Sequence, residues 1–465
     1  MSFYSELERF GNQVALIDHK NQKITYAELA KKADKVAKKL NGSRNLVFIF
    51  CSNSIASVVA YLACLRNGHV PLLVDQKINQ ELVEHLIEIY RPNYLIMPCL
   101  KSTKKPICEF DEYCVIKEKD EQLLLHKDLA LLLTTSGSTG SPKLVRQSGK
   151  NIDSNAESIC KYLKIDPTER PITTLPMNYT YGLSIINSHL KAGATILMTD
   201  DTLMEKSFWS FLKDQAATSF GGVPYTYEML KRLRFFRMEL PSLRYLTQAG
   251  GKLNYELTKE FVEGCAEKSI KFIVMYGQTE ATARMSYLPE DKALEKCGSI
   301  GIAIPGGDFS LQDDDGKLIE GPDIPGELIY RGSNVTLGYA ECTEDLAKGD
   351  ERDGILITGD IAKRDIDGYY YIVGRKKRFI KIFGNRVNLD EVEQILKNKG
   401  FLCACTGQDD KMMVAVADEK SIGEIAQLLF EMTGLNRNAF LIKYIPEIPK
   451  NEAGKVIYAK LLEEF

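Results

Sequence analysis

The sequence has no marked excess of either charge, no cysteine framework and only five histidines. Its 60 Lys and Arg residues nearly balance 63 Asp and Glu, so the net charge of -3 gives no general attraction to nucleic acid or anionic membranes. The 11 cysteines are odd in number and scattered, and no two of them form a CxxC pair. This usage disfavours disulfides and zinc sites, and it predicts a reducing, cytoplasmic compartment.

The sequence also lacks the features of a membrane-directed segment. Charged residues occur within the first ten positions and no apolar stretch follows them, so we expect no secretory signal. The longest uncharged run ends at Leu65 and contains Asn53, Ser54 and Ser57. Because it is too short and too polar to cross a bilayer, it predicts a core helix over residues 55–65. We therefore expect no membrane insertion.

Short apolar runs alternate with helical patterns over the first 130 residues. A helical pattern at 26–40 precedes the strand-like run 46–50, and the helix at 55–65 leads to a second run at 70–74. Strand, helix and strand at this spacing predict a parallel sheet covered by helices. The same rhythm returns later, with strand-like runs at 194–198, 219–220, 243–246 and 272–275.

From about Gly298 onward, the pattern changes to short strands with tight turns. The pairs at 315–316 and 367–368 are both Asp-Gly between apolar runs, which predicts hairpin turns. Three consecutive Asp residues precede Gly316, but the spaced ligands and terminal Glu of a calcium loop are missing, so the hairpin is favoured. The charged stretch 375–378 predicts a linker into a last domain with helices near 390–398 and 423–433.

An apolar strand runs directly into a loop rich in hydroxyl groups and glycine. The loop comprises Thr135, Ser136, Gly137, Ser138, Thr139 and Gly140, and it is followed by Lys143. Consecutive backbone N–H groups, hydroxyl donors and one cation have the chemistry of a phosphate cradle. It is not a Walker A loop, because Pro142 precedes the Lys and neither Ser nor Thr follows it.

This loop resembles the signature loop of the adenylate-forming superfamily, which contains acyl-CoA synthetases, adenylation domains of peptide synthetases and luciferases. Other motifs similar to those of the superfamily follow in order: Ala249-Gly250-Gly251, Met275 to Glu280, Gly326-Glu327-Leu328, Gly338-Tyr339, Thr358-Gly359-Asp360, Gly374-Arg375, Lys381 with Gly384, and Pro449 to Lys455. The resemblance implies an α/β fold. Residues 1–375 would form a large N-terminal domain of helix-covered sheets with a small β-barrel-like subdomain, and 376–465 a small, mobile α+β lid.

The resemblance also implies the residues that bind ATP and Mg2+. Tyr276 would stack on the adenine, Thr279 would contact a phosphate, and Glu280 would hold Mg2+, which takes only one or two carboxylates when phosphates supply its other ligands. Asp360 and Arg375 would hold the ribose. The full implied ATP set is Thr135, Ser136, Gly137, Ser138, Thr139, Gly140, Lys143, Gly250, Tyr276, Asp360 and Arg375.

Three residues near the C-terminus have implied roles in catalysis and domain motion. Lys455 would join Thr279 and Glu280 as a catalytic residue, bridging the substrate carboxylate and the α-phosphate. Lys377 would be the hinge, and Gly384 would border the tunnel of the incoming thiol. The basic run from Arg375 to Arg386 could instead suggest nucleic acid. Apolar strand residues interleave with it and the whole chain is acidic, so we expect no nucleic-acid partner.

The implied chemistry has two half-reactions. A small-molecule carboxylic acid attacks the α-phosphate of ATP to give an acyl-adenylate and pyrophosphate, and a pantetheine thiol then takes the acyl group as a thioester. This chemistry needs no Ser/His/Asp triad, which agrees with the few histidines. The thiol could belong to CoA or to the phosphopantetheine of an acyl carrier protein. A non-catalytic nucleotide- or acyl-binding member, or a luciferase-like use of the adenylate, stays open.

The acyl pocket is implied at Tyr179, Gly222, Ala249 and Gly251. Two positions depart from the pattern of the superfamily: Tyr179 stands where His is common, and Tyr458 where Arg is common. Amino-acid-activating relatives carry an Asp in the Tyr179 region, but no acidic residue occurs from 175 to 193. An α-amino acid is therefore a disfavoured substrate.

Overall fold

The computed structural model describes residues 2–42, 44–134, 143–382, 385–408, 410–433, 437–450 and 456–465. Within these ranges the helices are α1 (Tyr26–Ala37), α2 (Ile55–Arg66), α3 (Gln80–Tyr90), α4 (Gly149–Leu163), α5 (Thr180–Ala192), α6 (Lys206–Asp214), α7 (Pro224–Arg232), α8 (Tyr255–Glu267), α9 (Leu389–Asn398), α10 (Ile422–Thr433) and α11 (Tyr458–Glu463). No helix in this part of the chain is long and apolar enough to cross a membrane.

The strands of the described residues are short, as expected for a mixed fold. They are β1 (Val14–Asp18), β2 (Lys23–Thr25), β3 (Leu46–Cys51), β4 (Val70–Asp75), β5 (Tyr94–Pro98), β6 (Cys108–Phe110), β7 (Tyr113–Lys117), β8 (Leu129–Thr134), β9 (Leu144–Ser148), β10 (Ile196–Met198), β11 (Ser219–Gly222), β12 (Tyr245–Gln248), β13 (Lys271–Tyr276), β14 (Ser286–Tyr287), β15 (Ile302–Ala303), β16 (Gly307–Gln312), β17 (Gly326–Gly332), β18 (Gly338–Ala340), β19 (Ile355–Arg364), β20 (Tyr370–Arg375), β21 (Phe379–Ile382), β22 (Asn385–Asn388), β23 (Cys403–Gln408), β24 (Lys411–Val416) and β25 (Phe440–Tyr444).

The chain divides into two compact units. Of the described residues, unit 1 contains 2–134, 143–308 and 330–356, and unit 2 contains 309–329 and 357–465. The α/β fold class expected from the sequence is confirmed, with helices and sheets alternating along most of unit 1.

An eight-stranded sheet forms the centre of unit 1, in the order β18-β9-β8-β4-β3-β5-β7-β6. Its middle strands β8, β4, β3 and β5 are parallel, which confirms the parallel sheet expected from the sequence. In β3, Leu46, Phe48 and Phe50 pack in one buried cluster, while Val47 and Ile49 pack in another. Both faces of the strand are covered, and this explains why its sequence is continuously apolar.

A second sheet of unit 1 has the order β11-β12-β13-β14-β15. Its first three strands are parallel, so their carboxyl ends meet at one edge. Gly222, Gln248 and Tyr276 are the last residues of these three strands. In open parallel sheets, ligands bind outside the carboxyl ends of the strands, so this edge is where a site is expected.

Unit 2 holds most of a four-stranded sheet, β16-β17-β19-β20, and a three-stranded sheet, β23-β24-β25. Both predicted Asp-Gly turns are confirmed. Gly316 N donates to Asp313 O at 3.1 Å, and Asp367-Gly368 joins the antiparallel strands β19 and β20. The two helices expected near the C-terminus are confirmed as α9 and α10.

The stretch 375–378 is not a simple solvated linker, because Arg378 is only 8% exposed. Its guanidinium pairs with Asp390 at 2.7 Å and with Glu393 at 3.3 Å. It also lies 3.7 Å from the ring centre of Tyr458, whose hydroxyl donates to Glu393 at 3.1 Å. Tyr458 therefore completes a buried charge network, and this gives a structural role to a residue that departs from the pattern of the superfamily.

Replacement of Arg378 by Met is expected to lower the free energy of unfolding of unit 2 by about 3 kcal/mol, because it removes the buried cation of the network and leaves the exposed Lys397 to pair with the buried Glu393. Urea unfolding would measure the loss. The matched control is Lys377→Met, since Lys377 lies beside it in the same run and is exposed. Equal stability of the two variants would show that the Arg378 pairs do not stabilise unit 2.

Candidate active site

The carboxyl edge of the second sheet brings the predicted acyl-pocket residues together. Ala249 N donates to Gly222 O at 3.2 Å, joining the ends of β11 and β12. The side chain of Gln248 donates to Gly251 O at 2.8 Å, which closes the turn after β12. Ala249 is buried, with 5% exposure. These short links hold the ends of β11 and β12 and the turn after β12 together at this edge.

Tyr179 borders the same turn. It is the N-cap residue of α5 and is half-buried. Gly250 has φ +82°, and a Cβ built there would lie 2.6 Å from the Tyr179 hydroxyl oxygen. Burial raises the pKa of Tyr179. A neutral phenol therefore lies against Gly250, in the position where the sequence predicted a substrate-facing residue.

The turn after β13 is unusually tight. A Cβ on Gly277 would lie 1.7 Å from Ala283 O, so only glycine fits. Thr282 has φ +64°, an unfavourable value for a β-branched residue, and its hydroxyl donates to Asn334 O at 2.7 Å. This turn presents Thr279 and Glu280, which lie half-buried in the short 3-10 helix Thr279–Ala281 at the end of β13.

The backbone of Glu280 is held by three donors. Its carbonyl oxygen accepts from Thr336 N at 3.0 Å, from the Thr336 hydroxyl at 2.9 Å and from Arg352 Nη1 at 3.0 Å. Arg352 also donates to the Thr336 hydroxyl at 2.6 Å. The position of the Glu280 Cα is therefore fixed independently of the side chain.

The carboxylate of Glu280 is oriented by one phenol. Tyr339 OH donates to Glu280 Oε1 at 2.7 Å. Burial, and then the charge of Glu280, raise the pKa of Tyr339 to about 12, so the phenol stays protonated near neutral pH. Within the described part of the chain, Glu280 Oε2 has no hydrogen-bond or ion-pair partner. One oxygen is positioned and the other is left for a ligand.

Positive charge lies beside this carboxylate. The Lys143 ammonium is 3.9 Å from the ring centre of Tyr339, and the Arg352 guanidinium is 4.6 Å from it. Lys143 also pairs with the exposed Glu341 at 3.2 Å. Lys143 comes three positions after Gly140, the last residue of the predicted phosphate loop. Two cations and one oriented carboxylate in one cluster have the chemistry to bind a phosphate and a metal ion.

The donor set fits Mg2+ that is bound mainly by phosphates. In the described ranges, no three His, Cys, Asp or Glu side chains come together as a metal cage. Glu280 instead offers one oriented carboxylate with an unpartnered oxygen. Mg2+ commonly takes one or two carboxylates and completes its octahedron with phosphate oxygens and waters.

The two residues predicted to hold a ribose lie together in unit 2. Asp360 is opposite Arg375 in the β19–β20 pairing, and Arg375 Nε is 3.2 Å from Asp360 Oδ1. Asp360 lies inside β19, and it is 4% exposed. Arg375 and the predicted hinge residue Lys377 are exposed.

Several predicted residues lie outside the described ranges. They are Thr135, Ser136, Gly137, Ser138, Thr139 and Gly140 of the phosphate loop, Gly384 of the predicted thiol tunnel, and the predicted catalytic Lys455. Their roles stay predictions. The described neighbours of the loop, Thr134 and Leu144, are paired across β8 and β9.

Sequence reasoning gave no role to Tyr339, Thr336 or Arg352. The Gly338-Tyr339 pair was noted only as a motif, and that was the available signal for Tyr339. No local sequence signal marks Arg352, because its contact with Glu280 joins residues far apart in the chain.

A separate cleft of about 900 Å³ in unit 1, near the start of α4, is lined by none of the predicted site residues.

Comparisons with known proteins agree on one family. A family model described as AMP-binding enzyme matches residues 3–340. The 2-succinylbenzoate–CoA ligase of Bacillus licheniformis is 26% identical over 95% of both chains. A linear gramicidin synthase of Brevibacillus parabrevis is 26% identical over 96% of this chain, which spans only 6% of that protein. The O-succinylbenzoate coenzyme A synthetase of Bacillus subtilis, solved with AMP, has a TM-score of 0.80 at 22% identity, over 99% of this chain and 98% of that one.

Proposed function

This chain belongs to the AMP-binding enzyme family, and we propose that it activates a carboxylic acid with ATP and Mg2+ and transfers the acyl group to the thiol of CoA. The observation that carries the proposal is the Glu280 carboxylate, with Oε1 held by Tyr339 and Oε2 free of described partners, beside Lys143. A phosphate-bound metal and an adjacent cation are what adenylate formation requires.

In the first half-reaction, the chain positions two reactants and balances charge. Lys143 and the hydroxyl-rich loop before it would hold the phosphates, Glu280 would hold Mg2+, and Asp360 with Arg375 would hold the ribose. The acid would enter at the carboxyl edge of β11 and β12, beside Tyr179. Its carboxylate oxygen attacks the α-phosphate and pyrophosphate leaves. Holding the two groups at reacting distance removes much of the entropic barrier.

In the second half-reaction, a thiol attacks the acyl carbon and AMP leaves. We propose that residues 376–465 rotate about Lys377 between the two steps, so that one pocket serves both. CoA is favoured as the acceptor because 2-succinylbenzoate–CoA ligase matches this chain over nearly its whole length. A carrier-protein thiol is the alternative acceptor, and the linear gramicidin synthase is the relative that keeps it open.

The proposal is tested by measuring pyrophosphate release from Mg-ATP with a panel of fatty, aryl, hydroxy and dicarboxylic acids, with and without CoA. Release with one acid class, and an acyl-CoA product when CoA is added, is the expected result. A single turnover that CoA does not relieve would instead indicate a carrier protein. Tight ATP binding with no release for any acid would contradict the proposal.

Replacement of Lys455 by Ala is expected to slow adenylation about a hundredfold or more, because a cation that meets developing charge is removed. Thiolysis of supplied acyl-adenylate should be nearly unchanged. Lys450→Ala is the matched control, since it removes an exposed cation from the same segment. Equal losses of both half-reactions in Lys455→Ala would contradict the two-conformation mechanism.

Replacement of Lys377 by Pro should have the reverse effect and impair thiolysis more than adenylation.

A further inference from the structure

Three arginines among the described residues are buried, and one of them lacks a counter-charge. Arg146 pairs with Glu351, and Arg378 pairs with Asp390. Arg284 is 2% exposed but has no ion pair with any described residue. A buried guanidinium without an anion is strongly destabilising unless something else compensates its charge.

The groups around Arg284 are neutral. Its Nε donates to Ser184 Oγ at 3.1 Å, and its Nη1 donates to the Tyr162 hydroxyl at 3.2 Å and to the sulfur of Met275. The guanidinium carbon lies 4.4 Å from the ring centre of Tyr181. The remaining nitrogen, Nη2, donates to none of the residues that the structure describes. These contacts hold Nε and Nη1 and leave Nη2, with its two N–H donors, available.

The titratable groups that face Arg284 do not supply the missing charge. Burial raises the pKa of Tyr162, Tyr179, Tyr181 and Tyr245, so each phenol is uncharged near neutral pH. Burial also lowers the pKa of His189 to about 4, which leaves this imidazole neutral. The buried carboxylate of Glu169 acts on the far partner Tyr245, but it is paired with Arg244 at 2.8 Å and makes no ion pair with Arg284.

Arg284 lies beside the predicted acyl pocket. The ring of Tyr181, which it contacts, is 6.4 Å from the ring of Tyr179. Tyr179 in turn lies against Gly250 at the carboxyl edge of the second sheet. Arg284 also follows Glu280 by four positions on the tight turn after β13. One continuous row of side chains thus runs from the pocket edge to a buried, uncompensated cation.

We propose that Arg284 binds a second carboxylate on the substrate, so that the activated acid is a dicarboxylic acid. This inference rests on the proposed function. One carboxylate attacks the α-phosphate and displaces pyrophosphate, while the other stays bound to Arg284 and takes no part in bond changes. Arg284 is therefore a specificity residue. A carboxylate there accepts charge-assisted hydrogen bonds and neutralises the buried guanidinium.

The test compares each linear dicarboxylic acid from malonate to suberate with its own monomethyl ester in ATP–pyrophosphate exchange. The ester keeps the length and the reacting carboxylate but lacks the second charge. The wild type should prefer one diacid over its ester by about a hundredfold in kcat/KM, because the ester leaves a buried charge unpaired. Arg284→Met should lose about that factor for the diacid and little for the ester, and Arg284→Lys should restore part of it.

Each outcome decides the question. Equal loss for diacid and ester in Arg284→Met, with ATP binding intact, would make Arg284 structural and overturn the inference while adenylation stands. Equal kcat/KM of the wild type for the diacids and their monomethyl esters would also overturn the inference. Failure to catalyse exchange with any acid would contradict the proposed function. Calorimetric titration of the diacids would then still decide the inference: binding lost in Arg284→Met supports it, and no binding to the wild type overturns it.

Discussion

Replacement of Glu280 by Gln is expected to reduce ATP–pyrophosphate exchange about a thousandfold, because it removes the oriented carboxylate that we propose as the Mg2+ ligand. Gln has nearly the same shape and can still accept from Tyr339, and the three donors to the Glu280 carbonyl are unaffected. The variant therefore changes charge alone. Charge stabilisation by a metal is worth several kcal/mol, and each 1.4 kcal/mol is about tenfold in rate. Steady-state exchange against Mg2+ concentration measures the effect.

Two neighbouring changes separate metal binding from general electrostatics. Tyr339→Phe keeps the Glu280 charge but removes the hydrogen bond that orients it, so a smaller loss of about tenfold to a hundredfold is expected. Glu341→Gln removes an exposed carboxylate that pairs with Lys143 in the same cluster, and it should have little effect. A loss in Glu341→Gln as large as that in Glu280→Gln would contradict the assignment of the metal ligand.

The substitution Gly277→Ala should abolish measurable adenylation. The added methyl group would lie 1.7 Å from Ala283 O and 2.7 Å from its carbonyl carbon, and neither backbone atom can rotate away. The turn would have to open, which displaces Thr279 and Glu280 from the contacts that hold them. A displacement of about one ångström at a reacting centre already costs about a hundredfold. Exchange activity and ATP binding would both be measured on the folded variant.

Gly423→Ala is the matched control for this change. Its Cβ would meet no atom within 4 Å, and the residue lies in helix α10, where Ala is more favourable than Gly. We expect equal or slightly higher stability and unchanged activity. An active Gly277→Ala variant would show that the turn after β13 can open without loss of the site.

The sequence was sufficient where one local pattern determines the outcome. Strand β3 is apolar at every position because both of its faces are buried, so its pattern identified a central parallel strand. The Asp-Gly turn at 367–368 was equally readable, since few residues adopt its backbone conformation. The strand-like run at 272–275 was found in the same way, as β13.

The long-range contacts of the buried and site residues could not be predicted from local sequence patterns. Arg352 holds the Glu280 backbone across 72 residues of sequence, and only the folded chain brings them together. Arg378 belongs to a run of basic residues, and its neighbours Lys376 and Lys377 are exposed, so nothing local marks it as buried. For Arg284 the informative observation is that no acid among the described residues forms an ion pair with it, and this depends on several elements packing around one side chain.

The network around Arg378 ties together parts of unit 2 that are far apart in the sequence. Arg378 pairs with Asp390 and Glu393 on α9, donates to Cys405 O in β23 at 2.6 Å and lies against the ring of Tyr458, the first residue of α11. A displacement of any one of these elements would break several charge-assisted contacts at once. We therefore expect α9, β23 and α11 to move together as one rigid body.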